Sequence, residues 1–239
     1  MDVRDPIMRA HGRTGRRIAS IDLLRGLIMA LMALDHTRGF VLGILRDPTD
    51  LATTTPALFA TRWITHLCAP RFLLLAGAAA MLQRDLRGPA GLAWLLATRG
   101  GVLVALELTV VTFAWIPDPG RSLLLLQVIW AIGWSMILLA PLVLMPAAAV
   151  GALGVGLAVL HPALSDALAG AGAPDWLRIV LFDANARLER GDGDAVFVSY
   201  PILPWFAVMA AGYGFGALIR RRPSDWAGLS RRLGIGLIL

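Results

Sequence analysis

Lysine is absent from this chain, cysteine occurs once, tyrosine twice, and only 16% of its 239 residues are charged. One thiol builds neither a disulfide framework nor a thiolate metal cluster, and Cys68 lies inside an apolar run, where it reads as a small packed side chain. So little charge beside 57% apolar residues, with a mean hydropathy of +0.70, excludes an ordinary soluble globular domain. HExxH, GxSxG, Walker A and paired CxxC motifs are missing, which leaves zinc hydrolysis, serine hydrolase and P-loop chemistry without support. The glycines of GALGVGL (151–157) have a phosphate-loop look but no strand before them, and they read as a close helix contact. No internal repeat is visible. The net charge of +6 comes without a base-stacking aromatic pattern, so no nucleic-acid partner is expected.

What is present are apolar stretches of about 20 residues, the length a helix needs to cross the hydrocarbon layer. Leu, Ala and Gly dominate them, and the alternating dyads of an outer-membrane barrel are lacking. The expected fold is therefore all-α, a polytopic transmembrane helix bundle. Six spans are predicted near 20–44, 57–82, 92–115, 122–141, 143–160 and 197–219, with the start of a further, truncated span at 233–239. All 22 basic residues are arginine. Arg4, Arg9, Arg13, Arg16 and Arg17 precede the first span, Arg84 and Arg87 follow the second, and Arg220, Arg221, Arg222, Arg231 and Arg232 follow the sixth. By the positive-inside rule these segments and the N-terminus are cytoplasmic.

Three parts result: a basic N-terminal segment (1–17), a transmembrane domain (18–219) and a basic loop leading into the further span (220–239). The long stretch 161–195 bears six acidic residues against three arginines, which suits an external loop. Within it PDWLRIVLF (174–182) fits a short interfacial helix. No small-residue cleavage site follows the basic N-terminus, and Asp35 and His36 interrupt the first run, so no signal-peptide cleavage is expected.

Ionisable groups inside spans are costly and mark cavities or function. At about 1.5 Å per residue, Asp35, His36 and Arg38 fall in the outer half of the first span. Arg62 and His66 join them from the second span, Glu107 from the third, Gln127 from the fourth and Tyr200 from the sixth. Such a layer of imidazole, carboxylate, guanidinium, amide and phenol suits acid/base chemistry in a low-dielectric cavity. Asp35 is spaced to pair with Arg38, leaving His36 for another partner. Arg25, Arg71 and Arg99 fall toward the cytoplasm, where guanidinium forks suit ligand phosphates.

The segments RIASIDLLRGLIMALMALDHTRGF, TRWITHLCAPRFLLLAG, LLLQVIWAIGWSMI and VSYPILPWFAVMAAGYGFG follow in matching order from about Arg17 to Gly216. Together they resemble the bacterial membrane proteins that carry the catalytic domain of heparan-alpha-glucosaminide N-acetyltransferase, within the wider transmembrane acyltransferase group. The resemblance implies a multi-pass enzyme of the bacterial inner membrane that uses cytosolic acetyl-CoA. It would acetylate an amine or hydroxyl, such as that of a sugar, at the outer face.

His36 stands where the family has an asparagine, and no histidine stands at the family's catalytic position. His36 or His66 would then act as general base or acetyl carrier, with Asp35 positioning. Arg25, Arg71 and Arg99 would meet CoA phosphates, and Arg38, Arg62, Glu107, Gln127 and Tyr200 would complete the network. No metal is expected; the partners are the bilayer and a small acceptor, and a homo-oligomer is compatible with the sequence. A transporter or flippase using the same buried groups is the alternative.

Overall fold

The computed structural model describes residues 19–42, 48–117, 120, 123–191 and 193–221. The arginines before residue 18, Arg222, Arg231, Arg232 and the run 233–239 lie outside these residues. The chain divides into two compact units, Met1–Phe72 and Leu73–Leu239.

In the first unit, α1 (Ala19–Leu42) coincides with the first expected span. A turn held by Asp50, whose carboxylate accepts from the Ala52 N–H and the Thr53 hydroxyl, leads to α2 (Pro56–His66). The start of α2 is encoded locally. Thr55 accepts the Leu58 N–H at 3.3 Å, and Pro56 occupies the first turn, where its missing N–H costs nothing. One continuous span was expected at 57–82, yet the helix breaks at Leu67 before α3 (Cys68–Leu106) begins. Pro70 explains the break: it has no N–H for the His66 carbonyl, and its ring crowds that carbonyl.

The second unit holds the rest of α3, which bends at Gly88. There φ is +70°, a value glycine adopts without penalty, and Pro89 opens the returning leg. That leg passes through a π-helical turn, Glu107–Val111, into α4 (Thr112–Trp115). Strand β1 (Leu123–Leu126) follows, then α5 (Val128–Leu142) and α6 (Ala147–Gly170). Next come α7 (Asp175–Leu181), β2 (Ala186–Gly191), β3 (Asp194–Val198) and α8 (Ile202–Arg221).

Glycine contacts set the directions of these helices. Gly100 meets Gly133 and Ile137, while Gly133 meets Val104, so the returning leg of α3 is antiparallel to α5. Gly151 meets Gly214 and Gly154 meets the Ala207–Ala211 turn, so α6 is antiparallel to α8. Gly212 lies on Leu74 and Gly216 on Ala78, so the descending leg of α3 is parallel to α8. One end of this unit consequently carries the strands, and the other carries the Gly88 bend, the α5–α6 turn, Arg84 and Arg220.

The fold is mostly helical, but the all-α expectation misses a three-stranded sheet of order β1-β3-β2. β1 runs parallel to β3, with Leu123 opposite Ala195 and Leu126 opposite Val198, and β2 is antiparallel to β3. Residues 123–126 therefore form a strand where the fourth span was expected to start. Residues 161–170 continue α6 instead of opening a loop, while α7 falls within the expected interfacial segment.

Three helical stretches, Pro56–Trp115, Ala147–Gly170 and Ile202–Arg221, are long and apolar enough to cross a membrane, and α5 is a shorter apolar helix. Their outward faces are apolar as well: Trp94, Phe113, Val155, Val159 and Leu160 are all exposed. A face of that kind is at home in lipid.

Candidate active site

In the first unit the side chains converge on one carboxylate oxygen. Asp35 and Arg38 lie three apart on a single face of α1, and Arg38 forms an ion pair with Asp35 Oδ1. The same oxygen accepts from the Thr65 hydroxyl at 2.6 Å and faces Arg62 Nη1 at 3.6 Å, both groups coming from α2. Arg38 reaches across to Thr61 Oγ1 at 3.4 Å. Two guanidinium groups thus surround one carboxylate, leaving positive charge in excess. Thr65 is buried, whereas Asp35 and Arg62 are about a third exposed, so the network is open to a ligand on one side.

His36 adjoins this network and is half-buried. Its Nδ1 lies 2.7 Å from the Met32 carbonyl oxygen, one turn back. A carbonyl only accepts, so Nδ1 is the donor in this contact. His66, at the end of α2, is exposed and takes no part in these contacts. Arg25 is half-buried, ten residues before Asp35 and so roughly 15 Å along α1. Arg71 is exposed in the first turn of α3, beside Cys68. Among the described residues the side chains of Arg25 and Arg71 enter no ion pair.

In the second unit, Glu107, Gln127 and Tyr200 come together at the strand end. Glu107 is wholly buried; its Oε1 accepts the Gln127 N–H at 2.7 Å, and the Trp130 N–H turns toward the same carboxylate. The carboxylate therefore caps the start of α5, where unpaired N–H groups and the helix dipole favour negative charge. The π-helical turn makes this reach possible. The Thr112 hydroxyl donates to the Glu107 carbonyl at 2.8 Å and lies 3.2 Å from that of Leu125, tying the turn to β1. The Ser199 and Tyr200 N–H groups both donate to the Leu126 carbonyl, and the Tyr200 ring packs on Trp205 at 5.0 Å. Arg99 is exposed on the returning leg of α3 and joins no ion pair among the described residues. No group of three or more metal-ligating side chains gathers among the described residues.

Thr61, Thr65 and Thr112 are the site residues that sequence reasoning passed over. The only hint was the spacing in TRWIT, which places the hydroxyls of Thr61 and Thr65 on one helical face beside Arg62.

Residues 17–233 match the sequence family described as heparan-alpha-glucosaminide N-acetyltransferase, catalytic. The chain belongs to that family. No curated protein and no solved structure matches it. Membership in the heparan-alpha-glucosaminide N-acetyltransferase catalytic family, with the apolar helices, makes this a membrane protein of a transferase family.

For this family member the cap on α5 yields a direct stability test. Glu107→Gln keeps an amide oxygen for the Gln127 N–H and is expected to leave thermal unfolding in detergent close to wild type. Glu107→Ala orphans a buried N–H and opens a cavity, at a cost of about 2–4 kcal/mol. Equal unfolding midpoints for the two variants would remove the capping role.

Proposed function

We propose that this protein transfers an acetyl group from acetyl-CoA, taken on the cytosolic side of a bacterial inner membrane, to an amine or hydroxyl at the outer face. A sugar is the favoured acceptor class. The proposal includes six spans with a cytoplasmic N-terminus. The observation that carries it is the placement of His36 beside the Asp35 network within a chain of this transferase family, its Nδ1 2.7 Å from a backbone carbonyl oxygen.

In direct transfer, Nε2 takes a proton from the acceptor as its nitrogen or oxygen bonds to the acetyl carbonyl carbon. The thioester C–S bond breaks, and the CoA thiolate leaves and takes up a proton. In the stepwise route Nε2 itself bonds to the acetyl carbon, CoA departs, and the acceptor then displaces the imidazole. Both routes need the ring held in one orientation. Arg38, Arg62 and Thr65, gathered on Asp35, brace the turn of α1 that bears His36. Arg25 and Arg71 are this unit's candidates for the CoA phosphates.

The test places purified protein in liposomes, with labelled acetyl-CoA on one face and a panel of amino sugars and sugar alcohols on the other. Labelled acceptor on the far side is the expected result. Acceptor that crosses unmodified while the acetyl-CoA stays intact would overturn the proposal in favour of transport.

A further inference from the structure

The end of the second unit opposite the strands holds a cluster of hydrogen-bond donors that no catalytic argument uses. Gly212 and Gly216 let α8 lie directly on α3; a Cβ at Gly216 would come within 2.8 Å of the Ala78 carbonyl oxygen. That close parallel approach brings Arg84, Asp85 and Arg87 of α3 to the same level as Arg220 and Arg221 of α8. Arg220 Nη1 bonds Asp85 Oδ1 at 2.5 Å, so the nearby carboxylate is taken. Arg84, Arg87 and Arg221 have no carboxylate partner among the described residues.

Beneath them lies Tyr213, fully buried, its hydroxyl without a hydrogen-bond partner. The Arg84 guanidinium stands beside this hydroxyl and can only donate to it, and Arg220 is the next charge out. A guanidinium has donors only, so it gives the phenolic O–H no acceptor. An unmet buried hydroxyl is unfavourable, and two adjoining donors of this kind are complementary to an anionic group with several oxygens. The flanking residues narrow the class further. Leu218, one turn before Arg221 on the same face of α8, is 47% exposed, and Leu86, next to Arg87 on α3, is 60% exposed. Bilayer lipid covers such leucines, so the phosphate closest to these arginines is that of a phospholipid.

We propose that the arginine end of the second unit binds the phosphate of an anionic phospholipid, held by the Arg84 guanidinium and the Tyr213 hydroxyl, with its acyl chains along the adjoining apolar surface of the helices. Arg84 is half-buried and long, so rotation of its side chain opens the hydroxyl while keeping its own N–H groups on the phosphate. Arg87 and Arg221, both exposed, add attraction without defining the position. The site is independent of acetyl transfer and would persist if that chemistry proved wrong.

The test uses the full chain in neutral detergent, titrated with phosphatidylglycerol, phosphatidylcholine, inorganic phosphate or adenosine 3′,5′-bisphosphate, and native mass spectrometry to count retained ligand. Phosphatidylglycerol is expected to be retained in preference to phosphatidylcholine, and neither soluble phosphate should displace it. Arg84→Gln should weaken retention by about tenfold or more, as for a lost charge-assisted bond. Arg87→Gln removes the same charge and should weaken it far less. Tyr213→Phe should weaken it severalfold while the unfolding midpoint in lipid-free detergent stays at or above that of wild type.

Equal losses in Arg84→Gln and Arg87→Gln would reduce the effect to general charge attraction and overturn the site. Displacement by adenosine 3′,5′-bisphosphate would assign the phosphate to a nucleotide and overturn the lipid. Wild-type retention in Tyr213→Phe would overturn the role of the hydroxyl.

Discussion

His36→Ala is expected to lower acetyl transfer by about 100-fold to 10,000-fold, the span associated with losing a general acid or base. CoA binding, measured by equilibrium titration, should stay near wild type because the imidazole is assigned to the acetyl end. The Nδ1 partner is the backbone carbonyl of Met32, which no side-chain substitution removes, so the ring itself is the part to test. Incubating wild-type protein with labelled acetyl-CoA and no acceptor separates the two routes. Label on the protein that is absent in His36→Ala points to an acetyl-histidine, and no label in either points to direct transfer. Unchanged turnover in His36→Ala would take this residue out of the mechanism.

Gly212→Val is expected to cause the largest loss of stability. A Cβ there would collide with the backbone of Leu74, and the reciprocal contact of Gly77 with Met209 and Tyr213 leaves α3 no room to retreat. Overpacking costs about 1–3 kcal/mol where flexible side chains can give way, and a backbone obstacle puts this variant at the upper end or beyond. The thermal midpoint in detergent should fall by about 5–10 °C. Gly156→Ala is the control, because nothing lies within 4 Å of its added Cβ and helix propensity favours alanine. If Gly212→Val melted with wild type, the close α3–α8 packing would be wrong, and the level alignment of Arg84 with Arg220 would go with it.

The helical framework was readable because its signals are local. Long apolar runs mark α1, α6 and α8; Thr55 with Pro56 starts α2, and Gly88 with Pro89 divides α3. The break at Leu67 was equally local, yet Pro70 reads as an ordinary proline near a helix start until its missing bond to the His66 carbonyl is considered. The strands were not readable. Leu123–Leu126 is four leucines, a pattern shared by a strand and a buried helical turn, and its pairing partner Ala195–Val198 lies about seventy residues away.

The candidate site divides along similar lines. Asp35 with Arg38 follows from spacing on one helix, whereas the Thr65 hydroxyl meeting Asp35 depends on how α2 packs on α1. Glu107 looked like part of an acid/base layer, and its engagement with the Gln127 N–H emerged only with the π-helical turn and β1 in place.

Composition and hydropathy alone determined that this chain lives in a membrane as helices, because the bilayer rewards apolar length and every helix satisfies its own backbone. Motif order alone pointed to the acetyltransferase family. The tertiary structure decided which polar groups have partners and which do not: Thr65 on Asp35 and Glu107 on the start of α5 are paired, and the Tyr213 hydroxyl under Arg84 is not. Hydrogen bonds between distant segments depend on helix direction and on the closeness of approach that glycine permits. Neither quantity is written in the periodicity of a single helix.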